Sequence, residues 1–135
     1  MYTIVIGCTM IGRKLARQLS MNNDVVVIDN NPKNISRLQS SFDGKIIEGL
    51  EFDKEVLESA DVKSADQIII CTDSDNVNIM TAQMLNKIFE VKNIILCLSS
   101  ISMAKLYADS DFKIICTTKI IANEIIETIN EKENE

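Results

Sequence analysis

Three runs of consecutive apolar residues constrain this chain most. Val25-Val26-Val27-Ile28, Ile68-Ile69-Ile70 and Ile94-Ile95-Leu96 contain no polar residue. A strand with one wet face alternates polar and apolar side chains. A strand without alternation is covered on both faces, as in a parallel sheet. Strands are expected at 2–7, 24–29, 45–48, 66–71, 93–98 and 112–116, with helices at 11–22, 32–42, 53–60, 76–90, 100–109 and 118–131. Asn31-Pro32 places proline in a first helical turn. Asp53 followed by Glu55 reads as a cap and a first-turn acid. Asp75 is expected to open a helix whose buried ridge is Ile79, Met80, Met84, Leu85 and Ile88. Six strands alternating with helices predict an α/β fold: a doubly wound, Rossmann-like parallel sheet in a three-layer α/β/α sandwich. Right-handed crossovers give the strand order 3-2-1-4-5-6.

The totals exclude several function classes. Net charge is −6, and no helix gathers a basic stripe, which argues against a nucleic-acid partner. No apolar run approaches the roughly 20 residues that span a bilayer, so no membrane insertion is expected. Met1-Tyr2-Thr3-Ile4 enters a strand with no basic leader, so a cytoplasmic location is expected. There is no histidine, the commonest general base and zinc ligand. Cys8, Cys71, Cys97 and Cys116 form no close-spaced pair, although each falls near a strand's carboxyl end. They read as reduced, small buried residues in preference to a metal or redox site. No catalytic or metal-binding residue is expected.

The opening of the chain points to a ligand. Strand residues Thr3-Ile4-Val5-Ile6 lead into Gly7-Cys8-Thr9-Met10-Ile11-Gly12 and then a helix. Gly7 permits the tight turn, and Gly12 lets the helix pack close to the sheet. The amides from Thr9 to Gly12 form an anion cradle at the helix N-terminus. The nucleotide fingerprint has glycine where this chain has Thr9, whose side chain fills some of the pyrophosphate's space. Its hydroxyl is free to donate to a phosphate from a shifted ligand. Asp29, seventeen positions after Gly12, stands where a carboxylate accepts ribose hydroxyls, with Asn30 beside it. The other reading of Asp29 is a turn or helix-start acid. Cys71-Thr72-Asp73-Ser74-Asp75 ends the fourth strand, either lining the ligand or capping the next helix.

These stretches resemble the N-terminal nucleotide-binding domain of the TrkA/KTN family, also called RCK domains, over about residues 2–129. The resemblance rests on Ile4–Ala16, Val26-Val27-Ile28-Asp29, Glu48–Ala60 and, most specifically, Thr72-Asp73-Ser74-Asp75-Asn76-Val77-Asn78-Ile79. It implies one nucleotide-binding domain spanning 1–135, with 118–135 forming an interface helix and an acidic tail. It implies a regulatory subunit of a potassium uptake system or channel, at the inner face of the membrane. Such subunits bind NAD, NADH, ATP, ADP or AMP without turnover and assemble into homo- or hetero-oligomeric dimers or rings. The matching positions are Gly7 to Gly12 for phosphates, Asp29 for ribose, Leu50 and Glu51 near the base, and Cys71, Thr72 and Asp73 at the crevice. Members of the family often carry a second, smaller ligand-binding domain after the last helix.

Four positions depart from that pattern. Thr9 replaces the second glycine, Met10 the usual arginine, Leu50 the usual aspartate, and Cys97 an arginine late in strand five. The alternative reading is therefore a structural ring subunit that has lost its nucleotide. An NAD-dependent oxidoreductase fits less well, because the chain has no room for a substrate domain.

Overall fold

The computed structural model describes residues 1–134. Six parallel strands form one sheet in the order β3-β2-β1-β4-β5-β6, as the sequence predicts. They are β1 (Tyr2–Ile6), β2 (Asp24–Asp29), β3 (Lys45–Glu48), β4 (Gln67–Ile70), β5 (Ile94–Leu98) and β6 (Lys113–Cys116). The helices are α1 (Met10–Leu19), α2 (Pro32–Gln39), α3 (Lys54–Ser59), α4 (Asp75–Lys87), α5 (Ile101–Leu106) and α6 (Thr117–Glu133).

The unalternating runs are buried on both sides of the sheet. Ile4, Ile6, Ile28, Ile68 and Ile70 pack under α3 and α4 with Leu57 and Leu85. Their neighbours Val5, Val27 and Ile69 point the other way, toward α1 and α2, and meet Ala16 and Leu38. Successive strand side chains face opposite sides, so both layers draw on the same short segments.

Several boundaries differ from the sequence reading. Helix α1 begins at Met10 because Thr9 caps it, and it ends at Leu19. Helices α2 and α5 are shorter than expected, and Val62–Ser64 adds an unpredicted single turn of 3₁₀ helix. Asp53 caps α3 as expected and Asn31 caps α2, each accepting a backbone N–H two residues on. The cap of α4 is Ser74, which accepts from Val77 N; Asp75 is the first helical residue. The buried face of α4 is Asn78, Ile79, Thr81, Ala82 and Leu85. Met80 and Ile88 are exposed, so the expected ridge is rotated. The shift follows from Asn78: its amide satisfies buried backbone groups and draws a polar residue into the apolar face. The expected acidic tail is helical through Glu133, consistent with the helix propensity of Glu and Lys. Glu135 lies outside the described residues.

Candidate functional site

The strand order reverses between β1 and β4, and in open α/β sheets ligands bind beyond the strand ends at such a point. The turn after β1 is built tightly there. Gly7 has φ +110, and a Cβ on it would lie 2.6 Å from Thr72 N and 2.7 Å from the Cys71 carbonyl carbon. Its N–H donates to Ile28 O at 2.8 Å, while Cys71 N donates to Ile6 O at 2.8 Å. A Cβ on Gly12 would fall onto the Gly7 carbonyl oxygen. Both glycines therefore have the roles expected from the sequence, and α1 presses its first turn directly onto the corner.

Thr9 behaves differently from the expected phosphate donor. Its hydroxyl donates to Cys71 O at 2.9 Å and accepts from Gly12 N at 3.3 Å. One side chain thus caps α1 and ties it to the end of β4. The Arg13 N–H donates to Thr9 O at 2.8 Å. Of the first-turn amides, those of Met10 and Ile11 have no intrahelical acceptor.

Asp29 is 4% exposed, and both of its oxygens hold backbone. Oδ2 accepts from Cys8 N at 2.6 Å and Oδ1 from Asn31 N at 2.7 Å. These charge-assisted bonds pin the β1–α1 turn to the β2–α2 turn. The contacts in the structure are those of the turn-acid reading. Asn30 is exposed, and Leu50 is 43% exposed. Cys8 is buried, with its thiol directed to Asn34 O at 3.3 Å. Arg13 Nη1 donates to Cys8 O at 2.8 Å, the carbonyl just before the Thr9 cap.

Glu51 is buried in the middle of the β3–α3 loop. Burial raises its pKa, its backbone partners oppose the rise, and the charges of Asp29 and Asp73 add to it. A carboxyl group that titrates higher in the folded chain than in the unfolded one is a source of stability only while protonated. That contribution is lost as pH rises through the folded value. Glu51→Gln is therefore expected to melt higher than the parent at pH 7. The gain should vanish below about pH 4, where both states of the parent are protonated. Thermal denaturation from pH 3 to 8 measures this.

Beyond β4 the loop is held by Asn78, a residue of the Thr-Asp-Ser-Asp-x-x-Asn run. Asn78 is 1% exposed. Its Nδ2 donates to Thr72 O at 3.1 Å and Cys97 O at 2.9 Å, and its Oδ1 accepts from Thr72 N at 3.1 Å and from the Thr72 hydroxyl. Asp75 accepts from Ser99 N at 2.8 Å and Ser100 N at 2.9 Å. The Thr-Asp-Ser-Asp-x-x-Asn run therefore clamps the ends of β4 and β5 together. Thr72, expected to face the crevice, directs its donors inward to Ser74 and Asn78.

A cavity of about 300 Å³ lies between the α1 N-terminus and the ends of β4 and β5. Thr9, Met10, Ile11, Cys71, Thr72 and Asp73 all line it. Asp75 and Cys97, both raised in the sequence analysis, line it as well, together with Asn78, Ser99 and Thr117, which carried no site expectation. Cys8, Asp29, Asn30, Leu50 and Glu51 are not among its walls. Burial pushes the Cys71 thiol up to about 12 and raises Cys97 in the same direction. All four cysteines are free thiols, and the described residues hold no cluster of three suited to a metal ion. Among the described residues, no helix is long and apolar enough to cross a membrane.

The sequence matches the model of the TrkA-N domain over residues 3–118. It is 28% identical over 127 residues to the Trk system potassium uptake protein TrkA of Streptomyces coelicolor, covering 93% of this chain and 57% of that protein. The chain thus spans little more than half the length of that relative. The fold is shared with the AMP-bound Kef C-terminal domain of Shewanella denitrificans at a TM-score of 0.75 and 20% identity, over 96% of this chain and 80% of that one. It is also shared with the GsuK channel bound to NAD at a TM-score of 0.74 and 24% identity, over 88% of this chain and 22% of that one.

Proposed function

The chain belongs to the TrkA-N domain family, and from that premise we propose that it is a regulatory domain which senses an adenine nucleotide and gates potassium movement through a membrane partner. The observation that carries this reading is the corner itself. Gly7 and Gly12 bring the α1 N-terminus, with the amides of Met10 and Ile11, to the mouth of a cavity at the switch point. The solved relatives with AMP and with NAD support the ligand class. The reading needs no turnover: ligand occupancy alone changes the shape of the loops that meet there.

Assembly is the second half of the proposal. We read residues 1–135 as one nucleotide-binding domain with α6 as its interface helix. Helix α6 is 17 residues long and has no buried residue. Ile121, Ile125, Ile126 and Ile129 stand 48–61% exposed along it. An apolar stripe that covers nothing in its own chain fits a second subunit. The resulting dimer or ring sits against the inner face of the membrane through its transporter or channel partner.

One observation favours a second reading, a ring subunit without nucleotide: Asp29 and Thr9 already hold protein partners. Thermal denaturation with NAD, NADH, ATP, ADP and AMP separates the two. A ligand at one hundred times its dissociation constant stabilises by about 2.7 kcal/mol. The sensing reading predicts a raised melting temperature with at least one of the five. No shift with any of them favours the ligand-free ring, and a strict monomer by light scattering contradicts both.

A further inference from the structure

In a dinucleotide fold, the pyrophosphate crosses over the second glycine of the turn, where the bare backbone lets it approach. Here that position is Thr9, and its hydroxyl spans the turn to Cys71 O at 2.9 Å. The same oxygen takes the Gly12 N–H, removing one donor from the cradle. Two amides, Met10 and Ile11, remain at the helix start, enough for the oxygens of one phosphate. The cavity walls carry Asp73 and Asp75 and no lysine or arginine. Each further phosphate therefore brings negative charge toward two carboxylates. The volume, about 300 Å³, stands at the lower end of small-molecule sites.

We infer that Thr9 is a specificity-determining residue: its bridge to Cys71 closes the pyrophosphate path and makes the crevice selective for an adenine mononucleotide over a dinucleotide. The inference rests on the nucleotide-sensing reading above and adds which class of nucleotide the site admits. A monophosphate ends at the Met10 and Ile11 amides. A diphosphate must displace the Thr9 hydroxyl from Cys71 and leave that carbonyl without its partner.

Calorimetric titration of AMP and of NAD into the parent, Thr9→Gly and Thr9→Ser tests it. Glycine is itself an acceptable cap, costing only a few tenths of a kcal/mol, so Thr9→Gly is expected to fold. Thr9→Ser keeps the hydroxyl and serves as the folded control, with circular dichroism melts run on all three. The parent should bind AMP at least tenfold more tightly than NAD. Thr9→Gly should reduce that preference at least tenfold, mainly by gaining NAD affinity, and Thr9→Ser should retain it. NAD binding to the parent as tightly as AMP would overturn the inference while leaving the sensing reading intact. So would a preference unchanged in Thr9→Gly. Folded protein that binds neither nucleotide in any of the three variants overturns this inference, and the melts with all five nucleotides then decide the sensing reading separately.

Discussion

Gly12→Ala is expected to destabilise the domain by about 3 kcal/mol or more, a large part of the roughly 5–15 kcal/mol that holds such a domain together. The reason is the atom that the new methyl would strike. A Cβ on Gly12 falls onto the Gly7 carbonyl oxygen and lies 2.9 Å from the carbonyl carbon. Those are backbone atoms of a turn that cannot retreat. Gly7 N is bonded to Ile28 O, and the turn's other side abuts Cys71 and Thr72. Relief requires α1 to lift from the sheet, which opens the Ala16 contact with Val5 and Val27. Gly49→Ala is the contrast: its close neighbours are the Val56 methyl groups, and a side chain yields more readily than backbone. Urea denaturation of the two variants should show a much larger fall in midpoint for Gly12→Ala.

Asn78→Ala is the second large effect, with an expected loss of about 3 kcal/mol. Removing this amide strands the carbonyls of Thr72 and Cys97 and the N–H of Thr72, all of which it satisfies. Each buried group left without a partner costs about 1–3 kcal/mol. Asn78→Asp should give no rescue at neutral pH, because a carboxylate cannot donate to the two carbonyls and would be buried as a charge. The same urea experiment measures both variants. Hydrogen exchange adds a local readout: the amide of Thr72 should exchange faster in Asn78→Ala than expected from the global loss alone.

The fold was legible because its signals are local and redundant. Val25–Ile28 and Ile68–Ile70 read as doubly covered strands from composition alone, and the crossover rule then ordered the sheet. Gly7 and Gly12 were legible for the same reason, since few residues other than glycine fit such a corner. The polar residues were harder. Asp29 stands at the spacing of a ribose acid, yet spacing does not reveal that Cys8 N and Asn31 N converge on its two oxygens. The Thr9 bond to Cys71 joins positions 62 residues apart, which no local pattern reports. Asn78 lies within its motif, but local pattern assigns it no role, because an amide on a helix face looks polar and exposed. Its value comes from β5, where Cys97 O needs a donor.

The central claim is that the corner between β1 and β4 is a working nucleotide site. Amide NMR of the parent titrated with AMP tests it most directly. The account predicts saturable shifts at Met10, Ile11 and Asp73, with Gly7 and Thr72 following as their loops respond. The fold beneath, such as Ile69 and Leu85, should stay still. An unchanged spectrum at saturating AMP, or shifts confined to the groove between α5, β6 and α6 around Phe112 and Ile115, would contradict it.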